Sequence, residues 1–183
     1  INNPLSTSKL QVHSRDDAGI TIRLEKSAST SNLSLARFEI SSSVGMFEKI
    51  TTDFYPTTYN NEVWTIAARF EKDAGMTLWN LDNDTSPKYK VSFVGYQYIL
   101  DTLQNSFNLT ASISEKDYIN FSTANKSVYA GANRTNFSGS VIEKSDVRLL
   151  SLSVWDDALD DEEIKIHAQS LENLGRTKSF FNK

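Results

Sequence analysis

Apolar and polar residues alternate with period two through much of the chain. Ile20, Ile22 and Leu24 are interleaved with Thr21 and Arg23, and Ala36, Phe38 and Ile40 with Arg37 and Glu39. Successive side chains of a strand point to opposite faces, so each stretch predicts a half-buried strand. The clearest cases set Trp64, Ile66, Ala68 and Phe70 against Thr65, Ala67 and Arg69, and Phe107, Leu109, Ala111 and Ile113 against Asn108, Thr110 and Ser112. Residues 89–100 are aromatic or apolar on both faces, which predicts a central strand with its outer face also covered. Gly95 within that stretch predicts a bulge. Turn chemistry at Asp16-Asp17-Ala18-Gly19, Tyr59-Asn60-Asn61, Lys72-Asp73-Ala74-Gly75, Asp82 to Pro87 and Ala132 to Asn136 spaces the strands as in a meander. No composition shift or repeat divides the chain. It reads as one domain over 9–175 with arms or linkers at 1–8 and 176–183. Two antiparallel sheets packed face to face, with a helix near the C-terminus, are expected.

The run from Val147 to Ile164 joins a strand pattern to a helix with almost no linker. Leu150, Leu152 and Val154 share one face and Ser151 and Ser153 the other, which predicts a closing strand with Leu152 and Val154 turned into the core. Asp160 is placed to cap the helix and Glu163 to reach back to it, a capping box with acidic residues at the positive end of the helix dipole. Ile164, Ala168 and Leu171 supply one apolar stripe.

This sequence of features, alternation, Val154-Trp155, Ala158-Leu159, acidic residues, Glu163-Ile164 and His167-Ala168, resembles the C-terminal signature of laminin-G-like, concanavalin A-like jelly-roll domains. The stretch Val128 to Gly139, followed by Ser145-Asp146-Val147, is similar to the version found in large structural proteins of tailed bacteriophages, and Asn60-Asn61-Glu62-Val63-Trp64 resembles the Asn-x-Trp strand of these domains. The resemblance covers roughly the C-terminal third and leaves the first forty or so residues unmatched. It implies an all-β, two-sheet antiparallel jelly-roll sandwich of the lectin/glucanase type with one short C-terminal helix. The implied role is a non-catalytic domain of a larger virion protein in assembly, surface decoration or weak glycan adhesion. Its partners would be other virion proteins or its own parent chain. The alternatives are a carbohydrate-binding or adhesion module of a bacterial surface protein, extracellular or on the cell surface, and a divergent glycan hydrolase or lyase.

Composition narrows the classes. A length of 183 residues suits one domain with a sizeable core. The net charge of −4 gives no electrostatic reason to approach a phosphate backbone, so nucleic acid is not expected as a partner. With no cysteine, disulfides and thiol catalysis are excluded. The chain begins at Ile1 without a leader-like segment and has no apolar run long enough to cross a bilayer; it reads as a piece of a longer polypeptide that does not insert into a membrane. Ser, Thr and Asn make up roughly three residues in ten, which suits many strands with one wet face and explains chance Asn-x-Ser/Thr triplets such as Asn32-Leu33-Ser34 and Asn108-Leu109-Thr110.

A jelly roll hosts both binders and glycan-cleaving enzymes, so side-chain chemistry must decide. Retaining glucanases of this architecture need carboxylates at alternate positions of one strand, about 5 Å apart across the sugar. Glu115-Lys116-Asp117-Tyr118-Ile119-Asn120 comes nearest, but Asn120 stands where the second carboxylate belongs, and the segment reads as a solvated turn. His13 and His167 are the only histidines and no nucleophile elbow occurs, so no catalytic residue is assigned. His167 falls at the edge of the helical stripe, a packing position. Calcium is the one cofactor with a suitable donor set, Asp82, Asn83 and Asp84, though an Asx-rich turn before Pro87 accounts for that cluster without metal. Sugar recognition needs aromatic planes beside hydrogen-bonding groups, and Trp79, Tyr96, Tyr98, Tyr129 and Trp155 are the candidates. Trp64 keeps phase with the core, whereas Trp155 is out of phase with Leu152 and Val154 and is free to cover an edge or line a concave face. Trp155 and Tyr129, with the loop residues Asn133, Arg134 and Asn136, form the expected glycan-binding set.

Overall fold

The computed structural model describes residues 19–27, 35–42, 45–56, 58, 62–72, 89–123, 132–134, 141–144 and 148–170, the two short stretches at 132–134 and 141–144 by backbone alone. The fold is mostly β. Strands β1 (Ile20–Lys26), β2 (Ala36–Ser42) and β3 (Ile50–Thr51) form one antiparallel sheet in the order β1-β2-β3. Strands β4 (Trp64–Lys72), β5 (Tyr89–Ile99) and β6 (Thr102–Ile113) form a second in the order β4-β5-β6. A separate two-stranded ribbon pairs β7 (Ala132–Arg134) with β8 (Val141–Lys144). Two helices complete the described elements, α1 (Glu115–Thr123) and α2 (Asp161–Gln169).

The predicted strands lie where period two places them. Phe38 and Ile40 of β2 meet Val91 and Phe93 of β5 and Phe107 and Ile113 of β6 in the main core, with Trp64, Ile66, Ala68 and Phe70 of β4 packed around them. The two sheets therefore face each other across a largely aromatic layer. The Phe38 ring centroid lies 5.0 Å from Trp64 and 5.7 Å from Phe107, and that of Phe93 lies 5.1 Å from Phe107. Burial of one such ring stabilises by about 1.5–3 kcal/mol relative to exposure, so this layer dominates the energetics.

Strand β5 is central, as its two-faced pattern predicts: every residue from Val91 to Gln97 is buried. Gly95, however, is not a bulge. It keeps regular register between Ile66 and Phe107, and the irregularity falls later, between Gln97 and Tyr98. A Cβ built at Gly95 would come within 2.2 Å of Phe107 Cε1, so glycine is needed there for the close approach of a ring. The β5–β6 hairpin closes through Leu100 and Asp101, both at positive φ (48° and 61°).

The segment read as a solvated turn at Glu115–Asn120 is helical. Ser114 Oγ accepts from the Asp117 backbone N–H at 3.1 Å, an N-cap that starts α1. One turn apart, Tyr118 and Phe121 stack on Tyr89 (centroids 4.0 Å) and Phe70 (4.5 Å), which fixes the helix over the edge of the main core. The Ser-x-x-Asp spacing carried this signal.

The expected closing strand is corrected. Residues 148–155 are in no strand, and Leu150, Leu152 and Val154 are not core: they are 50%, 56% and 75% exposed, and Leu149 beside them is 54% exposed. Alternation specifies which side chains share a face but supplies no neighbouring strand, and no described strand offers its edge to this segment. Burial resumes only at Trp155, Leu159 and Ile164.

Candidate functional surface

The outer face of the second sheet carries a smaller core of Val94, Tyr96, Leu159 and Ile164, flanked by Ala67, Tyr98, Trp155 and Ala168. Helix α2 is held over this face from its first turn. Asp160 Oδ1 accepts from the Glu163 N–H at 2.9 Å and Glu163 Oε2 accepts from the Asp160 N–H at 3.0 Å, the reciprocal box expected from the sequence. Arg69, on the outward face of β4, donates from Nη1 to the Leu159 carbonyl at 3.0 Å and pairs with Asp161 Oδ1 at 2.7 Å. Glu71 Oε1 gathers Arg69 Nε at 3.2 Å, Ser92 Oγ at 2.9 Å and Lys90 Nζ at 3.5 Å, so these polar groups form one network beneath the helix entry. Burial holds the Tyr96 phenol above its ordinary pKa, and the Asp161 charge acts in the same direction.

Trp155 belongs to this packing. It is half-buried, and its ring centroid lies 5.1 Å from that of His167, so the tryptophan and the helix histidine occupy each other. Of the other residues expected to bind glycan, Asn133 and Arg134 lie next to each other on β7, with the ribbon's register irregularity between them. Tyr129 and Asn136 lie outside the described residues, as do Trp79 and the calcium candidates Asp82, Asn83 and Asp84. The Glu115–Asn120 acids sit in the first turn of α1, so they do not alternate across a strand as a glucanase pair would. Among the described residues, no group of three or more His, Asp or Glu side chains converges as a metal site. No described helix is long and apolar enough to cross a membrane.

Two features escaped the sequence reading. The first is a chain of amides at the end of β5: the Gln97 side chain, fully buried, donates to the Glu62 carboxylate and accepts from Asn105 Nδ2 at 2.5 Å. A buried amide must be satisfied in this way, and a lone Gln in an apolar strand was its only signal. The second is the apolar surface of residues 148–154. Four large apolar side chains project from this segment, and among the described residues no backbone hydrogen bond ties 148–154 to a neighbour. Chemically this is a row of open donors and acceptors beside apolar side chains, the two elements of strand addition. A smaller apolar patch, Ile99, Leu100 and Leu103, marks the β5–β6 hairpin tip.

In comparisons with known proteins, no family model, no curated protein and no solved structure matches this chain.

Proposed function

We propose that the chain is a non-catalytic β-sandwich domain that serves assembly within a larger structural protein. The C-terminal resemblance makes a tailed-phage virion component, with jelly-roll topology, the preferred setting. The single observation that carries this reading is the 148–154 segment, with Leu149, Leu150, Leu152 and Val154 open to solvent and its backbone unpaired among the described residues. Exposed apolar side chains beside an unpaired backbone are an aggregation hazard unless another chain or segment covers them, so an assembly role accounts for both together. The positions of Trp155 and Glu115–Asn120 point the same way: the tryptophan packs under α2 and the acids lie in the first turn of a helix.

Reducing-sugar release from a polysaccharide panel and binding to a glycan array test this reading. The expected results are no turnover and no retention. Turnover lost in Asp117→Asn would establish a hydrolase, and retention lost in Trp155→Ala would establish a glycan-adhesion module; either result would replace the assembly role.

A further inference from the structure

The sequence around Leu152 is nearly self-complementary when read against its own reverse. Set antiparallel about Leu152, the segment Arg148-Leu149-Leu150-Ser151-Leu152-Ser153-Val154-Trp155-Asp156 places Arg148 opposite Asp156, Leu149 opposite Trp155, Leu150 opposite Val154, Ser151 opposite Ser153, and Leu152 opposite itself. Every pairing is chemically matched. One face becomes an apolar row of Leu150, Leu152 and Val154 from each copy, closed at both ends by an opposite-charge pair. The other carries two Ser–Ser pairs between two Leu–Trp pairs. Directly opposed side chains are the units that stabilise a sheet, and these are among the favourable types.

The structure leaves this segment ready for such a partner. Arg148, Leu149, Leu150, Leu152, Val154 and Asp156 are all exposed, Trp155 is half-buried against His167, and residues 148–154 have no backbone hydrogen bond to a neighbour among the described residues. We infer that 148–156 is a homodimer interface: two copies of this chain pair antiparallel through it, on a two-fold axis at Leu152. The interface is isologous, since the same residues serve both sides. This inference rests on the assembly reading and adds the partner and the register.

Both are testable, because the chain has no cysteine of its own. Across an antiparallel pair, directly opposed Cα atoms lie about 4.5–5.5 Å apart, within disulfide reach, whereas residues offset by four positions are well beyond it. Sedimentation of the 183-residue chain from micromolar to millimolar concentration should show a reversible monomer–dimer equilibrium. Under mild oxidation Leu152→Cys should cross-link as a dimer and Leu150→Cys should not. Arg148→Asp should weaken dimerisation about tenfold by turning two opposite-charge pairs into like-charge pairs, and Arg148→Asp with Asp156→Arg should restore it. Circular dichroism of the variants should match that of the parent, since all four positions are exposed. A chain monomeric at every concentration, equal cross-linking at 150 and 152, or a dimer indifferent to Arg148→Asp would each overturn the inference. None of these results bears on whether the chain is catalytic or binds glycan, which turnover and glycan retention decide separately.

Discussion

In β5, Val91, Phe93 and Gly95 face the first sheet, Ser92, Val94 and Tyr96 face α2 and the segment before it, and all six are buried. In 148–154, Leu150, Leu152 and Val154 alternate as regularly with Ser151 and Ser153, yet all five are exposed. The difference lies in neighbours. Strand β5 has β4 on one side and β6 on the other, paired over nine and eleven positions, and a layer on each face. The 148–154 segment has neither among the described residues. Period two records the geometry a segment is built to adopt; burial is conferred by what pairs with it.

Truncating one side chain in each region should break the comparison most visibly if it is wrong. Phe93→Ala removes a fully buried ring from the centre of the aromatic layer and should cost about 3–5 kcal/mol. Leu152→Ala, measured in dilute solution, should change stability by no more than about 0.5 kcal/mol. Urea denaturation of the two variants checks this, and a cost at Leu152 of the size expected at Phe93 would return the segment to the core.

Gly95→Ala sharpens the account of β5. The new methyl would meet the Phe107 ring, so a loss of about 1–3 kcal/mol is expected, and Phe107→Leu in the same chain should recover part of it. Additive losses in the double variant would show that the close approach is not what keeps this position glycine.

These contrasts define how much was legible in the sequence. Strands β1, β2, β4, β5 and β6 could be read because each has a partner in the same chain, so alternation and burial coincide, whereas β3, two residues long, is too short to show a period. Asp160 and Glu163 were readable because a capping box is local, its donors and acceptors lying within one turn. Helix α1 was missed although Ser114 and Asp117 carry a similar local signal, because the acids around it also suit a turn. The role of Gly95 was misread for a different reason: its constraint comes from Phe107 on the neighbouring strand, which local sequence does not display. Leu152 and Val154 were assigned to the core on alternation alone, and that assignment reverses because the segment lacks a partner; Trp155, out of phase with them, packs beside His167. The Gln97–Glu62–Asn105 chain joins residues far apart in sequence and had no local signature.

Two smaller effects concern the outer face, where α2 supplies the cover that 148–154 lacks. Asp160→Ala should cost about 1 kcal/mol through loss of the cap, seen as a lower denaturation midpoint with an unchanged slope. The smallest effect is alkaline. Tyr96 has its pKa raised in the folded chain, so between the ordinary tyrosine value and the folded one the unfolded state holds fewer protons. Its contribution is therefore complete below the ordinary value and is lost as pH rises through the folded one. Tyr96→Phe should flatten the fall in urea midpoint at alkaline pH, and an identical fall in both proteins would place the titration elsewhere.

Amide hydrogen exchange, followed at low and high protein concentration, tests the contrast between the two regions most directly. Amides of 91–97 should be among the slowest at both concentrations, while those of 149–154 should exchange rapidly in dilute solution and slow only as concentration rises. Strong protection of 149–154 in dilute monomer would mean that the segment is already paired within its own chain, and would contradict its role as an open assembly surface.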